Sequence, residues 1–166
     1  MAITKWADNY YEGKAGDKMK IYHGSYNDTL EAISDEGIFG GIFGTSDARG
    51  ALSHGDYLYT ITAPKVLTQN DLAWHLTEDE LETAQKVVDR SFARRRYSLE
   101  ELAEAVFEDK QIEDMTLDEM FEVQTLRGKI AKALGYDAIE MSDEHGTSYL
   151  CLDTCTISRA NEHSNY

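Results

Sequence analysis

Residues 136–154 read "YDAIEMSDEHGTSYLCLDT". Two apolar, β-prone stretches, "YDAIEM" and "TSYLCLDT", flank the polar run "SDEHG". Asp and Gly between such stretches are turn residues, so the segment predicts a pair of strands. What precedes this pair sets the fold class. Lys20–Tyr22 reads as a strand running into His23-Gly24-Ser25. "GDYLYTITAP" (55–64) alternates, with Tyr57, Tyr59 and Ile61 on one side, Leu58 and Thr60 on the other, and Pro64 as the stop. From Thr77 to about Leu134 the chain turns helical and charged. Thr77 with Glu80, Ser98 with Glu101 and Thr116 with Glu119 each form a capping-box pattern, in which hydroxyl and carboxylate satisfy backbone donors at a helix start. Apolar residues follow the first two boxes at helical spacing, and the third helix runs from Leu117 to Leu134, ending at Gly135. "TLEAISDEG" (29–37) predicts a further short helix. Strands at both ends with helices inserted between them predict an α+β fold. The expected organisation is a polar arm over 1–18, one domain over 19–158 with a helical insertion over 77–134, and a tail over 159–166.

Composition narrows the function. A chain of 166 residues with 42% hydrophobic residues can bury a real core. No stretch approaches the roughly 18 apolar residues of a membrane span, and the first residues lack the apolar core of a secretory signal. A cytoplasmic protein is expected. The formal charge of −15 opposes direct binding to nucleic acid phosphates and favours a basic partner. Cys151 and Cys155 are expected to be buried free thiols, because an extended chain would hold their Cα atoms roughly 13 Å apart. They have no partners at zinc-like spacing, and no metal cluster stands out.

Several residues carry possible chemistry. His23, Gly24 and Ser25 offer an imidazole, bare backbone and a hydroxyl side by side, a set able to hold a flat polar ligand or simply to end a strand. "GIFGGIFGTSD" (37–47) lacks the phosphate-loop pattern, but its glycines permit close backbone approach and Phe39 and Phe43 offer ring faces. Arg94-Arg95-Arg96 reads as a solvated helix end or a phosphate site. On the third helix Gln124 falls in an arc with Leu117, Met120, Gly128 and Ala131, where a primary amide needs partners. Glu122 sits at the edge of the arc of Leu126, Ile130 and Ala133. Asp143 and Glu144 occupy the last turn, beside Thr147 and Ser148.

The order of "YHGS" (22–25), "FGTSD" (43–47), "DYLYTI" (56–61), "LGYDAIEM" (134–141) and "GTSYLCLDTCTIS" (146–158) resembles a phage-type ADP-ribosyltransferase domain, most nearly the anti-CRISPR ADP-ribosyltransferases that act on type I-F surveillance complexes. The resemblance implies a split, mostly antiparallel β core holding NAD+, cleavage of the nicotinamide–ribose bond, and transfer of ADP-ribose to a protein side chain. It implies that Gly24 binds the carboxamide, His23 and Ser25 the adenosine ribose, Thr45 and Ser46 the second ribose, and that Tyr59 or Phe43 stacks on nicotinamide. The protein target would be a CRISPR surveillance complex subunit with a basic nucleic-acid-binding surface in the bacterial host. One departure stands out. Related transferases often begin the last strand with a catalytic Glu, and Ser148 stands there. Glu122 with Gln124 beside it, Asp143 and Glu144 are the candidate replacements. Two other readings stay open: a non-enzymatic acidic inhibitor filling a DNA-binding groove, and an NAD+ hydrolase or toxin of the same fold.

Overall fold

The computed structural model describes residues 19–143 and 146–160. The expected arm over 1–18 and most of the expected tail lie outside them. Two sheets face each other, with helices against the outer face of one. The first sheet has the order β1-β3-β7, with β1 Met19–Ser25, β3 Tyr57–Ala63 and β7 Thr156–Arg159, all antiparallel. The second has the order β2-β6-β5-β4, with β2 Ile42–Gly44, β6 Gly146–Cys151, β5 Ala138–Asp143 and β4 Val66–Leu67. Only the short β4–β5 pairing is parallel. The architecture is the α+β, mostly antiparallel split core read from the sequence, and the closing hairpin pairs Asp143 with Gly146 across its turn.

Side chains of β5 and β6 alternate between two cores, as a pleated strand requires. Ala138, Tyr149 and Cys151 pack with Ile21 and Ile61 of the first sheet. Ile139, Met141 and Leu150 pack into the helical layer. That layer contains α2 Gln69–Trp74, α3 Glu78–Asp89, α4 Leu99–Glu108 and α5 Leu117–Ala133. A separate short helix, α1 Ala48–Ala51, packs on β3 through Ala48, Ala51 and Leu58. Among the described residues no helix is long and apolar enough to cross a membrane.

All three capping boxes form, at the starts of α3, α4 and α5. Gly135, at φ +80°, terminates the last helix in the left-handed region that suits glycine. The predicted helix over 29–37 is absent. Short polar side chains divert its backbone: Thr29 N–H donates to Asn27 Oδ1 and Glu36 N–H to Ser34 Oγ, and a segment this short cannot offset helix nucleation. β7 runs from Thr156 to Arg159. The cysteines are buried free thiols, but not on one extended strand. β6 ends at Cys151 and a turn closed by Cys155 N–H to Leu152 O returns the chain. The neighbouring Cys155 thiol and burial push the Cys151 thiol well up.

The arginine run is structural in large part. Arg94 donates to Asp89 and to Tyr97 O. Arg96 donates to both carboxylate oxygens of buried Glu119 at 2.8 and 3.0 Å. Burial raises the Glu119 pKa, but the bonds from Thr116 N–H, Tyr97 hydroxyl and Arg96 outweigh it and leave the carboxyl below its ordinary value. A depressed folded-state pKa adds stability above the unfolded pKa and loses it as pH falls through the folded one. Thermal melts from pH 6 to pH 3 should therefore show a steeper fall for the parent than for Glu119→Gln, with the difference confined to the region at and below the ordinary glutamate range.

Candidate active site

Among the described residues the two sheets pair backbone to backbone through a single isolated bridge. Tyr22 N–H donates to Thr45 O at 2.7 Å and Thr45 N–H donates to Tyr22 O at 2.9 Å. On either side of this bridge β1 and β2 form no ladder. Beyond it lies a cleft of about 900 Å³, within the roughly 300–1,000 Å³ range of small-molecule sites. β1, β2, the α1 region, α5 and the β5–β6 hairpin all contribute to its wall.

β1 supplies His23 and Gly24 to the wall. His23 Nδ1 lies 2.7 Å from Phe43 O. A carbonyl can only accept, so Nδ1 carries a proton, and in the tautomer this selects Nε2 is the acceptor. Tyr22 turns its N–H and C=O toward β2, and backbone direction in a strand repeats every second residue. Gly24 therefore points its own N–H and C=O to the same side. Among the described residues no backbone group of β2 takes them, because Phe43 O is held by His23. The result is an open strand edge in the cleft wall. The glycine has a separate packing cause: a Cβ there would lie 1.8 Å from Ala51 O.

Phe43 and Thr45 enter from β2 and its exit. Phe43 is braced edge-on by Phe39, with ring centroids 5.2 Å apart, and Phe39 in turn by Phe121 of α5 at 5.5 Å. Gln124 enters from α5, and Ser142, Thr147 and Ser148 from the hairpin. Ser148, the residue at the expected Glu position, is a buried polar group in this wall. The cleft thus gathers hydroxyls, an amide, the imidazoles of His23 and His54, an open backbone edge and aromatic side chains, a set suited to sugar, carboxamide and a flat aromatic.

Of the residues chosen from sequence, His23, Gly24, Phe43, Thr45 and Gln124 are brought together here. Others are placed elsewhere. Ser25 Oγ accepts from Asn27 N–H and lies off the wall. Ser46 is exposed beyond it. Tyr59 is 1% exposed and its hydroxyl donates to Asn27 O, so it is a core residue and offers no stacking face. Glu122 faces away from the cleft and accepts from Ser91 Oγ at 3.0 Å. Residues two apart on a helix point about 200° from each other, so Glu122 and Gln124 cannot share the wall. Asp143 closes β5 next to Ser142, and Glu144 lies outside the described residues.

Asp47 and Arg127, with Ser53 and His54, are wall residues that escaped the sequence reading. Asp47 caps α1, its carboxylate accepting from Arg49 N–H and Gly50 N–H, each at 3.1 Å. It is the carboxylate that the described residues bring to the cleft wall. The signal was the capping residue itself, but α1 has four residues and too little periodicity to announce a helix. Arg127 is 3% exposed and donates to Val106 O and Ala105 O, the orphan carbonyls at the end of α4, and to Asp109. Its charge is thereby committed to structure.

A family model described as anti-CRISPR type I-F ADP-ribosyltransferase AcrIF11 matches residues 19–159. A search of curated proteins returned no match. Among solved structures, one described as the crystal structure of an anti-CRISPR protein is similar with a TM-score of 0.72 and 38% identity, over 86% of this chain and 96% of that one.

Gly24→Ala should lower stability by about 1–3 kcal/mol, the usual range for overpacking, since the intruding methyl meets backbone rather than a movable side chain. Urea titration checks this as a lower midpoint with an unchanged slope.

Proposed function

Because the chain belongs to the anti-CRISPR type I-F ADP-ribosyltransferase family, we propose that its cleft binds NAD+ and that ADP-ribose passes to a side chain of a type I-F surveillance complex subunit with a basic nucleic-acid-binding surface. Membership makes the chain an NAD+-dependent ADP-ribosyltransferase of the phage anti-CRISPR kind. The observation that carries the finer reading is the cleft itself: the open Gly24 edge, the oriented His23 ring and the braced Phe43 face converge in one volume of about 900 Å³.

NAD+ supplies a ribose that gains positive charge as its bond to nicotinamide breaks. Each wall residue has a task that fits its geometry. The Gly24 edge offers one donor and one acceptor in the arrangement a primary carboxamide needs. Phe43, held by Phe39, gives a rigid ring face. His23 Nε2 accepts from a ribose hydroxyl while the Phe43 carbonyl fixes the tautomer. Thr45 and Gln124 add neutral hydrogen bonds that orient sugar without competing charge.

A carboxylate is needed where positive charge develops, since preformed opposite charge in a cleft lowers that barrier. Asp47 is the first choice because it already lines the wall and is held by two backbone donors. Asp143, one residue past Ser142 on β5, and Glu144, which follows it in sequence, are the remaining choices. The chain's charge of −15 favours encounter with a basic target face.

Intact mass spectrometry of a purified type I-F surveillance complex, with NAD+ and substoichiometric protein, should show a gain of one ADP-ribose. Nicotinamide release with no gain on the complex would overturn transfer in favour of hydrolysis. Asp47→Asn keeps a capping side chain but removes the charge. It should cut the transfer rate on the order of 100-fold with the melting temperature retained, whereas Asp47→Ala should also lose about 1 kcal/mol of stability. If Asp143→Asn or Glu144→Gln alone produces the rate loss, the carboxylate role passes to that residue.

A further inference from the structure

The arc expected to bury Leu117 and Met120 does not do so. Leu117 is 62% exposed and Met120 52% exposed. They stand seven and four residues before Gln124, so all three lie on one face of α5. Gln124 is in the cleft wall. The face therefore runs out of the cleft mouth onto the surface as bare apolar side chains. Ile38, 75% exposed, lies against the same helix from the glycine loop: its carbonyl accepts from Thr125 Oγ1 at 3.3 Å, and the next residue, Phe39, rests its ring on Phe121. The same Phe39 ring braces Phe43 inside the cleft. Exposed patch and inner wall are thus two ends of one rigid aromatic wedge. Close in sequence to these residues, Glu36, Glu113, Asp114 and Asp118 are all exposed, and the nearby Arg96 is held in a pair with Glu119.

We infer that this face, formed by Ile38, Leu117 and Met120 beside the cleft mouth, docks the ADP-ribose acceptor protein, and that the acceptor presents apolar side chains ringed by Lys and Arg. The inference rests on the transferase reading above. Two physical reasons select a protein target over other occupants. An acceptor side chain must reach the cleft, so its carrier has to rest on the surface that adjoins the mouth. An apolar centre with an acidic rim complements a basic surface with an apolar centre, and repels a second copy of a chain that carries −15.

Ile38→Arg and Met120→Arg, made singly, test this. Both positions are exposed, so the fold should hold, and each change opposes the partner in shape and in charge. Three readouts are taken: binding of the purified type I-F surveillance complex by surface-immobilised protein, ADP-ribosylation of that complex, and NAD+ affinity by calorimetry. Binding and kcat/KM for the complex should each fall about tenfold or more, the loss expected for an interface anchor, with NAD+ affinity unchanged. Met120→Leu should restore both. Undiminished binding in both Arg variants would overturn the inference, and so would a loss of NAD+ affinity matching the loss of modification. A parent that sediments as a dimer, dissolved by Ile38→Arg, would reassign the face to self-association. If the parent binds the complex but adds no ADP-ribose to it, the proposed function fails while the binding comparison still decides the docking face.

Discussion

Two hydrogen bonds between Tyr22 and Thr45 hold the molecule's arrangement together at its most consequential point. Among the described residues they are the only backbone pairing between the three-stranded and the four-stranded sheet, which otherwise meet through side chains. A longer ladder would fuse β1 and β2 into a continuous sheet and seal the strand edge. With no pairing there, Gly24 keeps an open backbone edge and His23 turns to the Phe43 carbonyl that β1 would otherwise have taken. The cleft exists because pairing stops after one step.

The rest of the fold keeps that gap in place. Tight backbone approaches at Gly24 and at Gly128 bring α1 against β1 and α5 against β6 and the glycine loop. A Cβ at Gly128 would lie 2.8 Å from Leu150 Cδ2 and 3.3 Å from Phe39 O. α5 is the common support: it carries Gln124 into the wall, Phe121 against the aromatic wedge and Arg127 into the end of α4. The buried Glu119 at its start, bonded by Thr116, Tyr97 and Arg96, anchors the same helix to the inserted segment. The acidic helices are thus part of the site's frame as well as its charge.

The candidate site was half legible. His23, Gly24, Phe43 and Thr45 were found because they lie in short runs where strand residues give way to small and polar ones, and Gln124 because an amide in an apolar arc needs a reason. Tyr59 was chosen through the family resemblance, and Ser25, Ser46 and Glu122 by adjacency to other candidates. Neighbours along a strand point to opposite faces and residues two apart on a helix point apart, so proximity in sequence placed them beside partners they do not share. Asp47 and Arg127 stayed hidden because their significance depends on which other elements meet them.

Local chemistry alone determined the class of fold, the closing hairpin, three capped helices and the stop at Gly135, since each depends on contacts within a few residues. The short elements β2, β4, α1 and α2 and the absence of a helix over 29–37 were decided by packing and by side-chain competition for backbone groups. The sheets' single-bridge contact, the return of Cys155 to Cys151 and the exposure of Leu117 and Met120 were settled only in three dimensions. The physical reason is the same in each case: a one-dimensional pattern specifies which side of an element is apolar, and only the assembled layers determine what, if anything, covers it.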